Sequence, residues 1–186
     1  RTMADLIPTA DDNPDFARVL PLRQLRDVEA YAFDIAPEPR EAEALARLLG
    51  ARAVRKMRMK GRLTRLPRAG WRLEAALGAT VVQTCVVTLD PVTTRVDQPL
   101  HRLFLPATGP DAIDVEISPD DDDVIEPLGD AIDLGLVATE ALALALPAYP
   151  RLPGATYDSG DAIDGADAPK PFAALAALGG KLGDET

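Results

Sequence analysis

The spacing of apolar residues predicts two helices along the chain. Over residues 37–50 they recur every three or four positions, which is typical of an amphipathic helix. Pro39 suits its first turn and Gly50 its end. We expect one face of this helix to carry Ala42, Leu45, Leu48 and Leu49. The second helix is the nearly continuous apolar run DLGLVATEALALAL, ended by Pro147, which we expect to be buried against a sheet.

From Lys56 onward the apolar period changes to two, which is typical of a half-buried β-strand. One side of this strand would carry Met57, Met59, Gly61 and Leu63. The other side would carry Lys56, Arg58, Lys60, Arg62 and Thr64. A turn at PRAG leads to a second alternating strand from Trp71, so these strands predict a hairpin. The runs TVVQTCVVT and TTRVDQPLHRLFL, joined by LDPV, predict a second hairpin. Short strands are also predicted in FARVLPL and over residues 115–117.

These elements predict an α+β fold with an antiparallel β-sheet, flat or curled, two main flanking helices and a flexible C-terminal tail. With 186 residues, 47% of them hydrophobic, the chain can bury one core. We expect a flexible N-terminus over residues 1–14 and a single α+β domain over residues 15–150. A linker and a short C-terminal helix would follow over residues 151–186, where the tail ends in the apolar run PFAALAAL.

Charge is distributed very unevenly along this sequence. The formal net charge is -10, yet residues 47–73 hold ten Lys and Arg residues and no Asp or Glu. Between Leu103 and Pro150, by contrast, there is no Lys or Arg, and Asp and Glu are frequent. Such asymmetry indicates a polyanionic partner, a basic partner, or pairing of the two regions within the chain.

The basic strand face suggests contact with RNA, because a row of Lys and Arg can neutralise backbone phosphates and release counterions. The candidate RNA-binding residues are Lys56, Arg58, Lys60, Arg62 and Arg65. A solvated or internally neutralised strand face is the alternative. Aromatic residues make up only 4% of the chain, so platforms for base stacking are few.

Other candidate sites are weaker. Cys85 is the single cysteine, which excludes an internal disulfide and any zinc site built from several cysteines. The predicted hairpin pairs Cys85 near Val96 and His101 opposite Thr80, so the two cannot form a Cys/His dyad. The aspartates at 120–123 do not follow the EF-hand pattern. We expect no catalytic residue, no metal and no cofactor, and no segment long and apolar enough to span a bilayer.

Three motifs in order resemble those of the YceD family, proteins of large-subunit ribosomal RNA accumulation. They are VVQTCVVTLDPV, AIDLGLVATEALALALPAYPRLPG and KPFAALAAL, and the likeness runs from about Ala53 to Leu178. The family's Asp-Leu-Gly with a following Glu corresponds to Asp133, Leu134, Gly135 and Glu140. Family members often carry a Cys-x-x-Cys pair in the first motif. Here the second position is Thr88.

The resemblance implies a cytoplasmic, non-enzymatic role in ribosome biogenesis, with large-subunit ribosomal RNA or its precursor as the partner. The alternative is a protein adaptor. In that case the acidic segment and the C-terminal helix would hold a basic ribosomal protein, and the cationic strand would be structural. No membrane partner is expected.

Overall fold

The computed structural model describes three stretches of the chain, residues 16–66, 70–106 and 124–156. Their strands are β1 (Val19–Pro21), β2 (Ala30–Ile35), β3 (Ala53–Arg65), β4 (Trp71–Thr84), β5 (Pro91–Pro106), β6 (Val124–Leu128) and β7 (Ala131–Asp133). Their helices are α1 (Pro39–Leu48), α2 (Leu134–Ala145) and a 3-10 turn, Leu22–Leu25. The predicted strand at 115–117 and the C-terminal PFAALAAL helix lie outside the described residues, as does the N-terminus predicted to be flexible.

An open five-stranded sheet in the order β2-β3-β4-β5-β6 forms the centre of the fold. The first three pairings are antiparallel, and β6 pairs with β5 in parallel. The predicted α+β class with an antiparallel sheet is confirmed for most of the sheet, and the one parallel pairing, β5 with β6, was not predicted. A parallel pair needs a connection of a dozen or more residues, and 17 residues separate the end of β5 from the start of β6 in the chain. Strands β1 and β7 form a separate two-stranded sheet.

The predicted hairpins share one strand. Residues Trp71–Thr84 form a single strand, β4, which pairs with β3 on one side and β5 on the other. The predicted antiparallel neighbours are therefore confirmed, but the register in the second hairpin was wrong. Thr80 lies opposite Arg95, and His101 lies opposite Glu74. Cys85 belongs to the turn between β4 and β5, because the strand ends one residue earlier.

One side of the sheet is apolar and carries the core. Helix α1 packs along β3, and α2 packs on β4 and β5. Both helices bury less than the sequence predicts: Leu48 in α1 is 71% exposed, and Leu136 and Leu144 in α2 are 54% and 83% exposed. Each helix meets the sheet along one stripe, so apolar residues on its other side stay in water. The largest fully buried side chains of the core include Tyr31, Leu20, Leu25, Met59, Leu63, Leu73, Leu77, Leu134 and Leu142.

The entry to α2 is fixed by the Asp-Leu-Gly motif. The Asp133 carboxylate accepts hydrogen bonds from the N–H groups of Gly135 (2.9 Å) and Leu136 (3.2 Å), which caps the helix. It also accepts one from the Arg18 N–H at 2.8 Å, so the cap joins α2 to the start of β1. Gly135 packs against backbone, since a Cβ there would lie 2.0 Å from the Phe16 carbonyl oxygen. The described residues up to Ala155 belong to one compact unit. The predicted domain boundaries stay a prediction.

Candidate nucleic-acid interface

The alternation predicted for β3 is present in the structure. Met57, Met59 and Leu63 are buried on the core side of the sheet. Arg58, Lys60 and Arg62, which alternate with them, point away from the core and are exposed, and Lys56, just before Met57, is also basic and exposed. Four of the five predicted RNA-binding residues therefore lie together on one sheet face. Whether they bind RNA remains a prediction.

A β-bulge interrupts the alternation near the start of β3. Arg55 pairs with Thr80 and Arg58 pairs with Gly78, so two residues, Lys56 and Met57, lie opposite Ala79 alone. Lys56 adopts a left-handed backbone conformation with φ of 51°, which is unfavourable for a residue with a Cβ. The bulge therefore stores backbone strain at a basic residue of the exposed face.

The bulge also adds Arg55 to the exposed face, a residue that the sequence reasoning missed. A strict period of two from Met57 backwards puts Arg55 on the core side. In the structure the extra residue reverses the phase, so Val54 is buried and Arg55 is exposed. The signal was the apolar residue Val54 three positions before Met57, which breaks the alternation. We call Arg55, Lys56, Arg58, Lys60 and Arg62 the cationic face.

One member of the cationic face is engaged by a carboxylate of the neighbouring edge strand. The Arg58 guanidinium donates to both oxygens of Asp34 on β2, with Nε–Oδ1 of 2.6 Å and Nη2–Oδ2 of 2.5 Å. This hydrogen bonding is the main reason that the pKa of Asp34 lies below its usual value, and the charges of Arg58 and Lys60 add to the effect. Arg58 is therefore oriented by Asp34 and has less capacity for an outside anion than its neighbours.

The remaining members of the cationic face have no ion pair among the described residues: Arg55, Lys56, Lys60 and Arg62. Glu74 on β4 lies directly across from Arg62 in the register. Farther along the same sheet face, Asp97 is held by Arg95 with Nε–Oδ2 of 2.7 Å. In the part of the chain that the structure describes, the cations of β3 thus outnumber the carboxylates beside them, Asp34 and Glu74.

Arg65, the fifth predicted RNA-binding residue, lies apart from the other four. It is half-buried at the end of β3, opposite Trp71, on the strand side that carries Leu63 and Met59. Its Nη1 donates to the Arg26 carbonyl oxygen at 2.6 Å, and its guanidinium lies 5.5 Å from the centroid of the Trp71 ring. Arg65 therefore belongs to a different surface, at the hairpin end of the sheet.

Cys85 is fully buried, and no histidine lies beside it. Its sulfur accepts hydrogen bonds from the N–H groups of Thr88 (3.4 Å) and Leu152 (3.5 Å). Hydrogen bonds from the side chain and backbone of Thr88, with that from Leu152, lower the pKa of the Cys85 thiol to about 6. His101 lies far along β5, opposite Glu74. Among the described residues, no group of three or more His, Cys, Asp and Glu could hold a metal ion.

Glu140, the last residue of the Asp-Leu-Gly motif, connects α2 to the sheet. Its Oε2 accepts from Nη1 of the buried Arg102 at 3.2 Å, and Glu126 on β6 forms a second ion pair with the same nitrogen. One arginine of β5 is thus shared by a helix and the edge strand. We interpret this motif as structural, because both of its carboxylates are engaged by other groups of the fold, Asp133 as a helix cap and Glu140 by Arg102.

Comparison with known proteins identifies the family. Residues 73–179, more than half of the chain, match the family described as large ribosomal RNA subunit accumulation protein YceD. The chain therefore belongs to the YceD family, as its motifs predicted. No curated protein and no solved structure shows a significant match. The name of the family associates it with accumulation of the large ribosomal RNA subunit. Neither helix of the described residues has the length and apolar character needed to cross a membrane.

Proposed function

We propose that this protein is a non-enzymatic ribosome-biogenesis factor whose cationic face contacts phosphates of large-subunit ribosomal RNA or its precursor. The observation that carries the proposal is the row of exposed basic residues on β3, four of which have no ion pair among the described residues. Phosphates are repeated negative charges, and a straight strand repeats its outward side chains every 6 to 7 Å or so. Family membership supports the proposal by pointing to the same class of RNA.

The strain at Lys56 is a second, independent support. A left-handed lysine costs on the order of 1 kcal/mol, and strained backbone residues tend to cluster at functional sites. The bulge that contains it places Arg55 and Lys56 next to each other, both exposed. A shallow depression of about 590 Å³ opens beside the bulge, lined in part by Asp34, Lys56 and Arg58. We propose that this depression receives one phosphate.

The test compares two triple variants with equal loss of charge. The first replaces Lys56, Lys60 and Arg62 with Gln, sparing Arg58 because its loss would leave Asp34 without its partner. The matched control replaces Arg40, Arg47 and Arg151 with Gln, three exposed residues that are not members of the cationic face. Binding of a large-subunit ribosomal RNA fragment is measured by fluorescence anisotropy over a range of salt concentrations, and folding by circular dichroism.

The wild type should show log affinity falling with log salt at a slope of about 3 if it contacts about four phosphates. Between about 50 and 200 mM salt this corresponds to a loss of roughly a hundredfold. The cationic-face variant should bind weakly with a slope of about 1 or less, because about one contact remains, and the control should follow the wild type. If both variants bind equally well, RNA does not use this face. If the cationic-face variant unfolds, these side chains are structural and the adaptor hypothesis becomes the better one.

A further inference from the structure

A cleft of about 760 Å³ opens at the hairpin end of the sheet, on the side away from the cationic face. It lies between the 3-10 turn, the paired ends of β3 and β4, and the connection from β6 to β7. The residues that matter for its chemistry are Leu22, Arg23, Arg26, Arg65, Trp71 and Asp130. Its volume falls in the usual range for sites that hold a small molecule.

Backbone contacts hold the walls of this cleft in place. The Leu22 N–H donates to the Asp130 carbonyl oxygen at 2.9 Å, and the Arg65 N–H donates to the Glu29 carbonyl oxygen at 2.8 Å. The Arg65 side chain in turn holds the Arg26 carbonyl oxygen at 2.6 Å, against the Trp71 ring. The cleft is therefore preformed, which lowers the entropic cost of binding.

The charge of the cleft favours an anion. Arg23 and Arg26 are exposed and have no side-chain ion pair among the described residues. Asp130 is the one acidic residue in the described lining, against three arginines. Arginine presents a planar fork of N–H donors that matches a phosphate group. A carboxylate accepts hydrogen bonds from hydroxyl groups, as acidic residues do from ribose in nucleotide-binding sites.

We propose that this cleft binds a nucleoside phosphate, with the phosphate on Arg23 and Arg26, the ribose hydroxyls toward Asp130 and the base along the apolar wall. If the bound nucleotide is part of an RNA strand, this proposal rests on the proposed function. Arg65 at the cleft is only three residues beyond Arg62, or about 10 Å along β3. An RNA strand that lies on the cationic face can therefore turn over the end of the sheet and place one nucleotide in the cleft.

Trp71 makes the cleft directly observable, because it is the only tryptophan of the chain and it lines this site. The full-length protein is titrated with adenosine 5′-monophosphate, adenosine, inorganic phosphate, a poly-glutamate peptide and a short single-stranded RNA while tryptophan fluorescence is recorded. Adenosine 5′-monophosphate and the RNA should each give a saturable change. Adenosine and inorganic phosphate should bind at least about tenfold more weakly, since each makes only part of the contacts.

Two double variants separate the cleft from the cationic face. Replacing Arg23 and Arg26 with Gln should raise the dissociation constant of adenosine 5′-monophosphate by about tenfold or more, since charged hydrogen bonds are lost. Replacing Lys60 and Arg62 with Gln should leave that constant unchanged and weaken RNA binding. Both pairs are exposed in the wild type, and circular dichroism checks that each variant is folded.

The outcomes distinguish nucleotide binding in the cleft from RNA binding on the cationic face. A response to adenosine 5′-monophosphate without one to RNA would overturn the RNA path and assign the cleft to a free nucleotide. An equal response to inorganic phosphate or poly-glutamate would overturn nucleotide recognition and leave a general anion site. RNA binding that depends on Lys60 and Arg62, with no Trp71 response to either ligand, would overturn the inference and leave the proposed function standing.

Discussion

Arg18 and Glu41 form a buried, two-pronged ion pair that joins the start of the described chain to α1. The distances are 2.7 Å for Nη1–Oε1 and 2.8 Å for Nη2–Oε2, and each residue is only 6% exposed. The Glu41 carboxylate also accepts from the Glu38 N–H at 2.6 Å as part of a capping box. Because the Arg18 N–H binds Asp133, this pair links both helix entries on the core side of the sheet.

This pair predicts a specific loss of stability in acid. Burial raises the pKa of Glu41, but hydrogen bonds from Arg18 and the Glu38 N–H outweigh it and hold that pKa below its usual value of 4.5. A carboxyl group with a lowered folded-state pKa stabilises the fold above its unfolded-state pKa, and this contribution is lost as the pH falls through the folded-state value.

The Glu41→Gln variant measures that contribution. At neutral pH it should cost about 3 kcal/mol of unfolding free energy, because Arg18 is left buried without its counter-charge. The gap between wild type and variant should shrink as the pH falls below 4.5 and through the lowered folded-state pKa, because the wild-type carboxylate then also becomes protonated. Urea unfolding at several pH values gives both numbers. A gap that stays constant down to low pH would contradict the assignment.

Gly135 predicts a steric limit at the entry of α2. Replacing it with Ala should cost about 1 to 3 kcal/mol, since the new Cβ would collide with the Phe16 backbone, which cannot move as a flexible side chain does. Gly129 is the matched control, because a Cβ there would meet no atom within 4 Å. Thermal unfolding of the two Ala variants should show a marked drop for the first and little change for the second. Equal melting temperatures would argue against the packing described here.

The strand that carries the candidate site could be predicted from its pattern alone. Methionine and leucine alternate with lysine and arginine along β3, and few arrangements other than a half-buried strand satisfy that pattern. The edge strand β2 has the same alternation in AYAFDI, with Tyr31, Phe33 and Ile35 buried. This run is short, and it was not predicted as a strand from the sequence. Local pattern was therefore sufficient for the strands whose two faces differ strongly in polarity.

Other features depend on contacts that sequence pattern does not encode. The bulge at Lys56 is set by the register of β3 against β4, and a lysine in the sequence does not predict a left-handed backbone conformation. The parallel pairing of β6 depends on where a long connection returns. Arg65 is instructive because the alternation itself put it on the side of Leu63, away from Arg62. Charge alone grouped it with the cationic face, and geometry assigns it to the cleft.

Lys56 predicts a conflict between stability and RNA binding. Replacing it with Gly relieves the left-handed strain and should raise the unfolding free energy by about 1 kcal/mol, while the loss of one cation weakens RNA binding. Lys60→Gly is the matched control, because it removes the same charge from a regular strand position. That variant should lose about 0.5 to 1 kcal/mol. Urea unfolding and RNA anisotropy on both proteins test this, and destabilisation by Lys56→Gly would contradict the strain at the bulge.

Glu74 gives a prediction in the opposite direction, a gain of RNA binding. It lies directly across from Arg62, where opposing side chains have Cβ atoms roughly 5 Å apart, so its carboxylate would repel an approaching phosphate. Replacing Glu74 with Gln should tighten RNA binding about two- to fivefold at low salt, the size expected for one exposed charge pair, and the gain should fade as salt screens it. Misfolding rarely tightens binding, so a gain is harder to explain by damage than a loss.

Glu43→Gln, an equal charge change on the exposed side of α1, should leave affinity nearly unchanged. If both variants gain equally, net charge rather than the cationic face governs binding, and if neither gains, the RNA does not pass over Arg62.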